Sequence, residues 1–138
     1  MEIVNLVAIV VFFAVAAYLY PLLPARVATH WDINGQVNGY MGRFWGAFFV
    51  PVLTLGSNIL FLFIPRIDPK KENNEKFRKS FDVFVSLFLI FMFYIYALAI
   101  FWAFGHVFNM NRLMIPAFAF PLIIIIYSYF EFIKSPRP

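Results

Sequence analysis

A chain of 138 residues that is 63% hydrophobic, 22% aromatic and only 13% charged cannot build a water-soluble exterior, because soluble domains carry roughly 25% charged residues. The net charge of +4 does not point to nucleic acid, since more than half of the basic residues sit in one short interval beside long apolar runs. The absence of Cys excludes disulfides, thiol catalysis and cysteine-based metal sites. The expected class is an all-α polytopic membrane protein. Four transmembrane helices, at about residues 3–23, 44–64, 83–104 and 113–130, would form one integral membrane domain over 1–138.

The first span, from Ile3 to Leu23, has no charge, and Ala14, Ala16 and Ala17 suit close helix packing. It lacks the basic start and short apolar stretch of a cleaved signal peptide, so a retained span is expected. Tyr18 and Tyr20 fit the interfacial aromatic belt, and Pro21 and Pro24 turn the chain out of helix.

Residues 24–43 are a polar loop containing His30, Trp31, Asp32, Gly35, Asn38, Gly39, Tyr40 and Arg43. Asn34-Gly35 and Asn38-Gly39 favour positive φ and imply tight turns, compatible with a short hairpin or with helical turns. His30 and Trp31 are expected to hold this loop, Trp31 in the interface and His30 on backbone carbonyls at the helix ends. The alternative is that the same loop is a recognition surface.

The second span, Phe44–Ile64, opens with the Gly42/Gly46 pair of a G-x-x-x-G, the candidate surface for self-association into a homo-oligomer. Pro51 should free a backbone carbonyl, with Thr54, Ser57 and Asn58 available as hydrogen-bonding partners. The interval 65–80 is a basic loop with Arg66, Lys70, Lys71, Lys76, Arg78 and Lys79. It is expected to meet anionic lipid headgroups or a cytoplasmic protein. Asp68-Pro69 reads as a helix start, and Phe77, Phe81 and Phe84 recur at helical spacing. The third span is rich in Phe, with Asp82 at its mouth as a partner for nearby Lys or Arg or as an interfacial carboxylate. A turn over Gly105–Arg112 carries His106, Asn109 and Asn111. The fourth span contains Pro116 and Pro121.

Lys and Arg set the orientation. Four spans place Arg66, Lys70, Lys71, Lys76, Arg78, Lys79, Lys134 and Arg137 on one side and Arg26, Arg43 and Arg112 on the other. Both termini and the 65–80 loop are therefore expected in the cytoplasm and the 24–43 loop outside, in a multi-pass protein of the cell (plasma) membrane.

The outward polar residues do not make a recognisable reaction centre. His30, His106 and Asp32 are too few and too scattered for a zinc site. Asp32-x-Asn34 lacks the later Gly and Glu of a calcium loop. No hydrolase, nucleotide-binding or metalloprotease motif is present. The expectation is no catalytic residues, no metal, no cofactor and no enzyme. Transport is disfavoured because the spans lack embedded ionisable pairs.

Leu23-Pro24, His30-Trp31, Gly35, Gly39-Tyr40 and Arg43, followed by a span with Pro51, resemble the N-terminal domain of SdpI-type membrane proteins. That pattern runs approximately L-P-x5-H-W-x3-G-x2-D-G-[YF]-x2-K. The stretches Pro65–Pro69, Glu72-Asn73, Lys76-Phe77-Arg78 and Gly105–Asn111 resemble the same family. Asn38 stands where the family usually has Asp, and Arg43 where Lys is commoner. The family's second membrane half, with its G-x-R-x-P-x-T-like motif, is expected to be missing from this chain. The resemblance implies immunity against a secreted peptide toxin outside, with signal relay to a cytoplasmic repressor protein. The alternative is a small accessory or structural subunit of a larger complex with other membrane subunits.

Overall fold

The computed structural model describes residues 2–67 and 75–134. Its elements in order are helix α1 (Glu2–Leu19), a 3₁₀ turn (Tyr20–Leu22), strands β1 (Arg26–Trp31) and β2 (Val37–Gly42), and helices α2 (Arg43–Ile67), α3 (Glu75–Ala103) and α4 (Met110–Lys134). All four helices are long and apolar enough to cross a membrane, over Glu2–Leu22, Arg43–Ile64, Arg78–Ala103 and Met110–Tyr127. The expected four-helix membrane architecture is therefore what the chain forms. Asp68 and Pro69 lie outside the described residues.

Helices α1, α2 and α3 pack on one another, and α4 lies along α3. In lipid no water is released from helix faces, so contact quality decides association. Here it rests on aromatic packing around Phe12, which is fully buried. Its ring stacks on Phe93 at 4.1 Å and meets the Tyr96 edge at 4.9 Å. Ala16 and Ala47, also fully buried, bring the backbones of α1 and α2 close to this cluster. Nearer the ends of the chain, Phe61 of α2 receives Phe81, Phe84 and Phe88 of α3. The Phe81/Phe84 periodicity is thus a packing seam.

Within α2, Pro51 is buried. Thr54 Oγ1 donates to the Val50 carbonyl at 2.7 Å and Asn58 Nδ2 to the Thr54 carbonyl at 3.0 Å. Both bonds are within the helix, so they pair the Thr54 hydroxyl and the Asn58 Nδ2 with backbone carbonyls without linking helices. Tyr94 does link helices, its hydroxyl donating to the Leu113 carbonyl of α4 at 2.6 Å.

Aromatic side chains mark both ends of the bundle. Tyr18, Tyr20, Phe44 and Trp45 are exposed at the hairpin end, and Tyr127 and Tyr129 at the other. This is the belt arrangement of membrane helices.

Candidate functional site: the hairpin over the bundle

The polar loop is an antiparallel β-hairpin, which resolves the two conformations its sequence allowed. Register runs Arg26 to Gly42, Val27 to Met41, Ala28 to Tyr40, His30 to Gly39 and Trp31 to Val37. It slips on each side of His30, leaving Thr29 and Asn38 without a directly opposed residue. Such bulges re-aim side chains. Here they bring His30 and Asn38 together: His30 Nδ1 donates to Asn38 Oδ1 across the hairpin. His30 therefore does not anchor the loop on helix-end carbonyls as expected, and its ring is exposed.

The two Asn-Gly pairs do different work. Asn34-Gly35 makes the turn, with Gly35 at φ 78°, a region open to Gly without strain. Asp32 organises the tip. Its carboxylate accepts the N–H groups of Asn34 and Gln36, both at 2.9 Å. Its backbone N–H donates to Gln36 O at 2.8 Å, and its carbonyl accepts Gly35 N–H at 3.0 Å. Asn38-Gly39 is no turn but part of β2. Gly39 is needed for space, because a Cβ there would stand 2.9 Å from the His30 Cβ.

The hairpin is clamped onto the helices at three places. At its base, Arg43 N–H donates to Ala25 O at 3.1 Å, and Val27, 1% exposed, seats over Gly46 of α2. In its middle, Trp31 packs edge-on against Trp102 of α3 at 5.8 Å, and Trp102 in turn meets Phe108. The Trp31 Nε1–H is buried without a hydrogen-bond partner among the described residues. At its tip, Asn111 Nδ2 donates to the carbonyls of Ile33 at 2.7 Å and Asp32 at 3.3 Å. The sequence placed the loop and the 105–112 turn on one side, and these bonds join them.

That receiving turn is itself capped at both ends. Gly105, at φ 92°, closes α3, with its N–H on Trp102 O and the His106 N–H on Phe101 O, the Schellman arrangement. Asn109 Oδ1 accepts Arg112 N–H at 3.2 Å and so caps the start of α4. Asn111 was visible in the sequence only as one polar residue among several. Its role depends on a hairpin tip 78 residues earlier in the chain.

The hairpin's exposed side chains include His30, Asn38, Tyr40 and Arg26, with the Arg26 guanidinium 4.9 Å over the Tyr40 ring. Ile33 projects from the tip and is 92% exposed. His106 packs against Phe101. Among the described residues no three His, Cys, Asp or Glu side chains gather as a metal site. At the opposite end of the bundle, Arg78 and Lys79 are exposed at the start of α3. Lys70 and Lys71, and the side chains of Arg66 and Lys76, lie outside the described residues.

Residues 7–55 match the family model described as Domain of unknown function (DUF1648). The match runs from α1 through the hairpin into the middle of α2. No curated protein and no solved structure matches the chain. The chain is thus a membrane-type helical protein that is similar to DUF1648 over residues 7–55.

Proposed function

We propose that the protein is a non-enzymatic, SdpI-like membrane protein for toxin immunity, signal relay or both, with the outward face of the hairpin as its recognition surface. The observation that carries this reading is the triple clamp on the hairpin, through Val27 on Gly46, Trp31 on Trp102 and Asn111 on Ile33. A surface held in one conformation loses little entropy on binding. It also presents polar and aromatic groups, of the kind that anchor protein–protein contacts.

The same clamp offers a route for relay. A peptide that displaces the hairpin tip strains the Asn111 bonds and so acts on the start of α4. The basic residues Arg66, Lys70, Lys71, Lys76, Arg78 and Lys79 of the interval between α2 and α3 would meet anionic lipid or a cytoplasmic protein. On this reading the protein sits in the plasma membrane with both termini inside.

The test is survival of a host sensitive to a secreted, membrane-active peptide toxin when it expresses the chain. Because Trp31 is an anchor, the informative variant is His30→Ala with Tyr40→Ala, which alters only exposed side chains. Protection by the parent and loss of protection by the variant, at equal membrane levels, supports recognition by the hairpin. Equal protection by both removes the hairpin from the mechanism. No protection by either removes immunity to that toxin.

A further inference from the structure

At the end of the bundle away from the hairpin, α1, α2 and α3 part around a cavity of about 220 Å³. Its wall is apolar except for five side chains: Glu2, Asn5, Asn58, Arg78 and Asp82. Glu2 and Arg78 stand at the first residues of their membrane-spanning segments. Asp82 lies one turn inside Arg78, about 6 Å deeper at 1.5 Å per residue. Asn58 lies six residues inside the Ile64 boundary of α2, about 9 Å below it by the same rise. Polar groups therefore line the cleft from the ends of these candidate spans inward along the helices.

Two observations set this cleft apart from ordinary interfacial surface. Asn58 is 8% exposed and lines the cleft. Its Nδ2 donates to Thr54 O, while its Oδ1 accepts no hydrogen bond among the described residues. Further, Glu2, Asp82 and Arg78 share one cleft yet form no ion pair among the described residues. Ionisable and amide groups in a membrane wall are costly and mark binding or transfer sites.

We propose that this cleft binds one phospholipid with a primary-ammonium headgroup, a phosphatidylethanolamine, drawn from the surrounding leaflet. The ammonium enters between the Asp82 and Glu2 carboxylates and donates to Asn58 Oδ1. The phosphate stays at the rim with the Arg78 guanidinium, a charge-assisted pairing. The acyl chains run down over Leu6 and Ile59, which line the cleft and are exposed. The charges select the headgroup. Two carboxylates and one guanidinium complement a zwitterion with its cation inward. Trimethylammonium carries no N–H and leaves Asn58 Oδ1 unsatisfied. An anionic headgroup brings no cation for Glu2 and Asp82.

The test is native mass spectrometry of the delipidated protein in detergent with equimolar dioleoyl phosphatidylethanolamine, phosphatidylcholine and phosphatidylglycerol. The expected result is one retained phosphatidylethanolamine, favoured about tenfold over phosphatidylcholine, as one or two charge-assisted hydrogen bonds give. Asp82→Asn and Asn58→Leu should each bring phosphatidylethanolamine down to the phosphatidylcholine level. Helical circular dichroism verifies their folding. If Asn58→Leu does not fold, Asp82→Asn, which alters charge without changing size, decides alone. Equal retention of the zwitterionic lipids, preference for phosphatidylglycerol, no retained lipid, or undiminished selectivity in Asp82→Asn would each overturn the proposal.

Discussion

Val27 of the hairpin and Gly46 of α2 are in such close register that a Cβ built on Gly46 would stand 2.5 Å from the Val27 Cβ. Glycine is required there because a strand crosses the helix at backbone distance. Gly46→Ala should lower stability in detergent by about 1–3 kcal/mol, the usual result of overpacking. This outweighs the helix-propensity gain of about 1 kcal/mol from Gly to Ala. Gly46→Ala combined with Val27→Ala should recover little of the loss, because alanine keeps the Cβ that makes the 2.5 Å contact. Gly42→Ala, with nothing within 4 Å of its added Cβ, should be neutral. Thermal unfolding of the four proteins checks the pattern.

The Gly42/Gly46 pair shows what the sequence conveyed and what it did not. A small-residue signal was legible, but as a helix–helix contact. Within the chain Gly46 receives a strand, and a Cβ added to Gly42 would meet nothing within 4 Å. Helices were readable because lipid leaves only long apolar segments as solutions. The hairpin was half-readable: Asn34-Gly35 gave the turn, while Asn38-Gly39 gave the same signal from within a bulged strand. The positions of Asn111 and Trp102 were hidden because their partners are remote in sequence. Asn109 was visible only as a polar residue of the turn, although an Asn just before an apolar helical run is a signal that could have marked it as the N-cap.

Asn111→Ala removes both bonds to the hairpin tip. Each hydrogen bond contributes about 0.5–1.5 kcal/mol, so a loss of about 1–2 kcal/mol is expected. The more specific effect is local. Amide hydrogen exchange at Gly35 and Gln36 should accelerate while that of α1 does not change.

Asp32→Ala removes the acceptor for two backbone N–H groups and should loosen the same tip. Asp32→Asn keeps an acceptor oxygen and should fall between the parent and the Ala variant. Exchange rates at Asn34 and Gln36 give the ranking.

Trp31→Phe keeps a ring against Trp102 and removes a buried N–H that lacks a partner. It should be near neutral. Trp31→Ala should cost about 3 kcal/mol, at the lower end for loss of a large aromatic side chain. A Phe variant as damaging as the Ala variant would mean that the indole N–H is satisfied in the membrane-embedded protein.

The recognition surface proposed here has meaning only if the hairpin faces the exterior, and the lack of Cys in the chain makes that directly measurable. Ile33→Cys at the hairpin tip and Lys79→Cys at the start of α3 place single thiols at exposed sites on opposite ends of the bundle. A membrane-impermeant maleimide applied to intact cells should label Ile33→Cys and leave Lys79→Cys unlabelled until the cells are lysed. Labelling of Lys79→Cys in intact cells with protection of Ile33→Cys would reverse the orientation and contradict the account.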